Sequence, residues 1–346
     1  LYSDDDLNAA VAAGALTAES AAAFRQFVGR NRAQPDEEQF RLVTGFNDIF
    51  VAIAVIVFLI AVAWLAARIS PSFAGAAVAA LSWGLAEYFT RQRRMALPSI
   101  ILSLGFYFGA LAVIILALDA VMQLPGGAAH GVFGGNTPIT LAFAGLLLAG
   151  AVYLHWRRFH VPITIAISAL SFIGGVLFLL AAIFPSLRHA YQQELLLGGL
   201  ALFAAAMSWD ISDPRRTTRR TDIAFWLHLA AAPLIVHGAF ACLGILTPGG
   251  AQPGRAALVI AVYLLMTAIA LVIDRRALLT AALAYVLYAM SSIIHNAESP
   301  STGFALSGFI IGAGLLTLSA FWTPARRALL ALLPVRLRTA LPASGS

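Results

Sequence analysis

Apolar residues gather into ten runs, at about 47–67, 72–90, 96–121, 138–156, 162–184, 191–209, 221–246, 256–273, 277–295 and 303–322. A hydrocarbon core of roughly 30 Å takes about 20 helical residues to cross, and each run approaches or exceeds that length. The pattern predicts an all-α polytopic integral membrane protein with about ten transmembrane helices, built as consecutive hairpins. It predicts three regions: a helical hairpin and linker over 1–45, a transmembrane domain over 46–322, and an amphipathic interfacial tail over 323–346.

The polar gaps give the threading its direction. All 22 basic residues are arginine, and only Arg68, Arg188 and Arg255 lie outside the N-terminal segment, the tail and every second gap. The favoured gaps hold Arg91, Arg93 and Arg94; Arg157 and Arg158; Arg215, Arg216, Arg219 and Arg220; and Arg275 and Arg276. Loops that keep Lys and Arg stay on the cytoplasmic side, because carrying a fixed positive charge across a bilayer is costly. Both termini are therefore expected in the cytoplasm. The arginine turns recur at about 50–65 residues, which suits either a duplicated two-helix unit or any set of hairpins with short loops.

Composition narrows the class. A mean hydropathy of +0.86 with 11% charged residues excludes an ordinary soluble domain, where about 25% would be charged. A pI near 10 often signals nucleic acid, but arginines at membrane boundaries serve orientation and contact with anionic lipid headgroups instead. The absence of lysine beside abundant Ala, Gly and Leu suggests a GC-rich bacterial genome, hence a bacterial inner membrane. The lone Cys242 allows neither an internal disulfide nor a multi-thiolate zinc site. No cleavable leader is expected ahead of the run at Phe46.

Within residues 1–45, Asp5 to Ala13 reads as a short helix with Gly14 as C-cap, and Thr17 caps a second helix to about Arg30. Such a hairpin is too small for a core of its own and is expected to rest on the membrane face or on a protein partner. After the last run, Thr323-Pro324 has the form of a helix start, and Arg-Leu alternation follows.

The seventh run, DIAFWLHLAAAPLIVHGAFACLG, carries His228, Pro233 and His237 in one crossing. Pro233 lacks an N–H and crowds the Leu229 carbonyl, and a proline-broken helix with polar groups is the best sequence pointer to a transport pathway. The histidines stand nine residues apart, roughly opposite on a helix and about 13 Å apart along it. The plain alternative is two histidines bonded to neighbouring helices. Glu87, in LAEYFTRQRR, is a second pathway candidate, although an i,i+4 pair with Arg91 explains it economically. On the opposite side His237, His295 and Glu298 admit a divalent metal, without any tight ligand spacing; scattered loop histidines explain them equally. A b-type haem would need facing histidines, and only His237 and His295 qualify. No cofactor is predicted, and no P-loop, GxSxG or HExxH motif is present, which speaks against an ATP-driven or catalytic role.

The AAGALTAESAAAF hairpin, followed by runs of which the second ends in LAEYFTRQRR, resembles bacterial predicted polytopic membrane proteins with an N-terminal cytoplasmic helical segment. That family has no assigned activity, so the resemblance implies architecture alone. The leading expectation is a permease-like transporter, not driven by ATP, for a small solute, ion or lipid. The alternatives are an assembly subunit docking through 1–45, and a membrane-embedded metal enzyme built on the outer His/Glu set.

Overall fold

The structure is a computed structural model that describes residues 4–32, 46–122, 137–213, 218–244, 253–276, 278–279, 300–334 and 341. Every regular element among them is helical. Helix α1 (Asp4–Ala12) ends at Gly14, whose φ of +70° is the left-handed turn that favours glycine. Helix α2 (Ala18–Arg32) begins where Ser20 N–H donates to Thr17 Oγ1 at 3.1 Å, the expected cap. Arg25 Nη2 donates to Asn8 Oδ1 at 2.8 Å and ties the two helices together. Residues up to 39 separate from 40–342 as a compact unit of their own.

The larger unit continues with α3 (Phe46–Ala67), α4 (Pro71–Ala86), a π-helical turn (Glu87–Gln92), α5 (Ala96–Met122), α6 (Thr137–Phe159) and α7 (Pro162–Ile183). A 3₁₀ turn (Pro185–His189) leads to α8 (Tyr191–Ile211) and α9 (Arg219–Cys242). Then come α10 (Pro253–Ile273), α11 (Pro300–Ala320) and α12 (Trp322–Leu332). Among the described residues six helices (α3, α5, α6, α7, α8 and α9) are long and apolar enough to cross a membrane, not the ten expected. Helix α4 is 16 residues long because a π-helical turn replaces its last stretch. Helices α10 and α11 each run 21 residues, with side chains described over only part of their length. The run at about 277–295 falls almost entirely outside the described residues.

Three hairpins pack closely: α4 on α5, α6 on α7, and α8 on α9. Each is closed by an arginine turn and held by backbone contact at glycine. A Cβ on Gly109 would lie 2.6 Å from Ala79 N and 2.7 Å from Gly75 O. One on Gly145 would lie 2.8 Å from Gly175 Cα, and one on Gly238 would lie 2.7 Å from Leu196 N. Small residues allow this approach, which supplies helix packing where lipid removes the hydrophobic drive.

The arginine turns after α4, α6 and α10 share a backbone device. Arg94, His160 and Asp274 are the described non-glycine residues with positive φ (52°, 54° and 58°), and each follows the helix that ends at an arginine turn. Left-handed residues of this kind cost on the order of 1–3 kcal/mol and persist where surrounding contacts over-determine them. Their recurrence at corresponding places supports a repeated hairpin geometry.

Helix α9 is the centre of the bundle. Of its spanning window 56% is buried, against 22–33% in the other five spans. Leu227, Ala231, Ile235, Val236 and Phe240 form the core with Leu202 and Ala206 of α8 and Ala166 of α7. The helix runs on through Pro233.

Gly145→Ala is expected to destabilise the protein by about 1–3 kcal/mol through backbone overpacking. Gly150→Ala, in the same helix with nothing within 4 Å of its added Cβ, is expected to be neutral or mildly stabilising. Thermal unfolding of the detergent-solubilised protein compares the two, and equal effects would contradict the close crossing of α6 and α7.

Candidate functional site: a buried charge network at the arginine side

The helices that end at arginine turns present their C-termini there, where the helix dipole is negative. An acid at such an end is doubly unfavourable unless a cation meets it. Glu87 follows α4, Asp210 sits in the last turn of α8, and Asp274 follows α10. In all three cases the structure meets the acid with an arginine from a later turn or helix. Arg158 Nε donates to Glu87 Oε1 at 2.7 Å, alongside the expected Arg91 pair at 2.9 Å. Arg275 holds Asp210 with two donors, Nε to Oδ2 at 3.2 Å and Nη2 to Oδ1. Arg326 Nε donates to the Leu271 carbonyl at 3.1 Å and lies 3.9 Å from Asp274 Oδ1.

The Asp210 site is the deepest of these. His228 Nε2 lies 2.9 Å from Asp210 Oδ2. His228 is 0% exposed, Arg275 1% and Asp210 3%. The Phe203 ring packs edge-on against the imidazole at 5.2 Å, and Arg275 Nη2 also donates to the Thr221 carbonyl at 3.3 Å. One carboxylate therefore serves two potential cations inside a helical bundle. Desolvation makes such a group costly to ionise alone, and the fork of Arg275 supplies the opposite charge beside it. Protonation of His228 would place a second positive charge on the same carboxylate. Chemically, the triad can take up a proton and redistribute its ion pairs.

Asp213, just past α8, is satisfied separately: Thr218 N–H and Oγ1 and Thr221 Oγ1 all donate to its Oδ2, at 2.8, 2.7 and 3.2 Å. These bonds fix the start of α9 and hence the direction in which His228 projects.

The other sequence candidates are dispersed. His237 is half-buried two and a half turns beyond His228, and the two do not share a site. Pro233 is half-buried within α9. Glu87 stands in its arginine fork, about one-third exposed, beyond the end of α4. His295 and Glu298 lie outside the described residues. Among the described residues no group of three or more His, Cys, Asp and Glu side chains converges as metal ligands.

Two features escaped the sequence reading. Arg275 and Asp210 are 65 residues apart, and each already has a nearby opposite charge that masks the distant partner. His155 has no charged signature at all. It is fully buried among Phe159 (4.6 Å between ring centres), Phe106 (4.8 Å) and Trp83 (5.5 Å), with neither ring nitrogen hydrogen-bonded.

Fold and site together define an all-α membrane protein with a buried ionisable network at one end of its helices. No protein-family model, curated protein or solved structure matches the chain.

Arg275→Met alone leaves the Asp210 carboxylate short of its main cation, and is expected to cost on the order of 3–5 kcal/mol. Removing both charges in Asp210→Leu/Arg275→Met should recover much of that loss. A double-mutant cycle on unfolding in detergent measures the coupling, and additive single effects would contradict the pairing. The Arg158 and Arg91 guanidiniums beside Glu87 hold its carboxyl below the usual carboxylate range. A depressed acid stabilises the fold above its unfolded pKa of about 4.3, and the gain disappears as pH falls through the lower folded value. Glu87→Gln should therefore flatten the acid limb of thermal stability below about pH 4; an unchanged acid limb would contradict the fork.

Proposed function

We propose that the chain is a proton-responsive, permease-like membrane transporter for a small solute, ion or lipid, working without ATP, with Asp210–His228–Arg275 as its proton-sensitive element. The observation that carries this reading is a histidine, a carboxylate and a guanidinium, all nearly or fully buried, joined between α8, α9 and the turn after α10. Ionisable groups within membrane helices are expensive, and they commonly mark proton relays and ion or substrate pathways. His228 is bonded to a titratable carboxylate on the neighbouring helix α8, which supports a responsive role.

The accompanying topology has ten spans in a bacterial inner membrane, with the arginine turns and both termini in the cytoplasm. It treats α4, α10, α11 and the run at about 277–295 as the spans beyond the six. Helix α4, at 16 residues or about 24 Å, would end near the headgroups, where Glu87 and its arginines lie. The resemblance to bacterial polytopic membrane proteins with a cytoplasmic N-terminal helical segment agrees with this placement.

An assembly role is the second reading. Helix α2 belongs to a separate compact unit and exposes Phe24 (40%) and Phe27 (62%), side chains suited to a protein partner.

Proteoliposomes loaded with a pH dye and challenged in turn with monovalent cations, amino acids and carboxylic acids separate the two. The transporter reading expects a luminal pH change with at least one of these solutes. That change should vanish in Asp210→Asn and survive removal of residues 1–40. Silence with every solute, together with loss of a co-purifying partner on removing 1–40, would favour assembly. For topology, single cysteines at Thr217 and Gly134 in a Cys242→Ser background are expected to react differently on intact cells. An impermeant maleimide should label position 134 and spare 217, and labelling of 217 would overturn the threading.

A further inference from the structure

The triad is joined, through two consecutive residues, to the C-terminal helix. Asp274 and Arg275 share a peptide bond and face different partners. Arg275 reaches Asp210 and the Thr221 carbonyl. Asp274 accepts from Trp322 Nε1 at 2.8 Å and lies 3.9 Å from Arg326 Nε, both on α12. Trp322 and Arg326 are one helical turn apart, so they form a single contact face. Both are buried, at 4% and 3% exposed, while Arg327 and Leu332 on the same helix are exposed. Arg326 also caps the end of α10 through the Leu271 carbonyl, and Arg276 lies over the Trp322 ring at 5.0 Å. The backbone between the two sets of contacts is held at φ +58° by Asp274, a conformation that an L-residue keeps only under such restraint.

We infer that α12 is a latch on the triad: docked, it positions Arg275 on Asp210, and protonation of His228 releases it. The inference rests on the reading of the triad as proton-sensitive and concerns how that site is regulated. The direction follows from charge. Asp210 offers one negative charge to two cations, so a proton on His228 competes with Arg275 for it. The surrounding charges are Asp222 on α9, within electrostatic reach of Arg275 and Arg219, together with Asp213 after α8 and Asp274 and Arg276 beside Arg275. As Arg275 loosens, the 274–275 backbone loses a contact that maintains its left-handed conformation, and Asp274 turns away from Trp322 and Arg326. Linkage makes the effect reciprocal: undocking α12 raises the proton affinity of His228 by the factor by which protonation weakens docking.

The test uses full-length protein in lipid nanodiscs, with Cys242→Ser and a nitroxide on Ala328→Cys, an exposed position of α12. Label mobility is followed against pH, and the His228 titration is read from imidazole nitrogen resonances, assigned by their loss in His228→Gln. Mobility is expected to rise as pH falls, with the midpoint of the His228 titration, and to stay flat in His228→Gln. Trp322→Ala/Arg326→Gln should free the label at every pH and raise the proton affinity of His228 at least tenfold. A freed label with the His228 midpoint unmoved would overturn the latch, as would mobility that ignores His228→Gln. A His228 that never titrates would overturn both the latch and the proton-sensitive element. Intact coupling without solute-driven proton movement would uphold the latch and remove the transport reading alone.

Discussion

A guanidinium group stays charged at any physiological pH, and hydrocarbon does not accept it. That constraint shapes this protein more than any other. With arginine in the place of every lysine, all 22 fixed cations are guanidiniums that cannot shed a proton to cross or be buried, and that freedom is left to the seven histidines. Every arginine must reach water, lipid headgroups or an acid. The exposed arginines of the 91–94 and 157–158 turns reach the surface, where Arg91 and Arg158 also pair with Glu87, and the buried Arg275 and Arg326 face Asp210 and Asp274.

Hairpin geometry and charge pairing then reinforce each other. Glycine contacts at Gly109, Gly145 and Gly238 bring paired helices close enough that their turns crowd together. Crowding places the acid at one helix end beside an arginine of a later turn or helix: Glu87 with Arg158, Asp210 with Arg275, Asp274 with Arg326. Of the described charged residues that are buried, Asp210, Asp213, Asp274, Arg275 and Arg326 lie at or beside clusters of arginine, and Asp48 lies in the first turn of α3. Around α9 the opposite arrangement holds: apolar side chains surround it on most sides, and His228 is the point where the core meets the network. The core thus fixes the position of an imidazole whose partners lie at the arginine end of the helices.

What the sequence disclosed follows from the range of each interaction. Helical class and membrane character were legible because apolar runs are local and long. The Thr17 cap, the Gly14 turn and the Glu87–Arg91 pair were legible because each spans four residues or fewer. The Arg158 arm of the Glu87 fork was not, since 71 residues separate the partners. His228 stood out as an imidazole in an apolar run, yet its meaning changed once Asp210 and Arg275 came into contact with it. The tail read as an interfacial helix, and α12 does keep an exposed Arg327, but its Trp322 and Arg326 turn inward onto α10. Hydropathy registers the apolar run through Ala86 but not the π-helical turn over Glu87–Gln92 that shortens the α-helix there, so α4 falls outside the six helices long enough to cross among the described residues.

The account depends on a carboxylate shared between an imidazole and a guanidinium at the arginine end of the bundle. An experimental density map of the protein in a lipid nanodisc measures that directly. It should show Asp210 between His228 and Arg275, out of lipid, with the 91–94, 157–158 and 275–276 turns at one bilayer face. Arg275 extended into the headgroups with Asp210 facing elsewhere, or those turns divided between both faces, would contradict it.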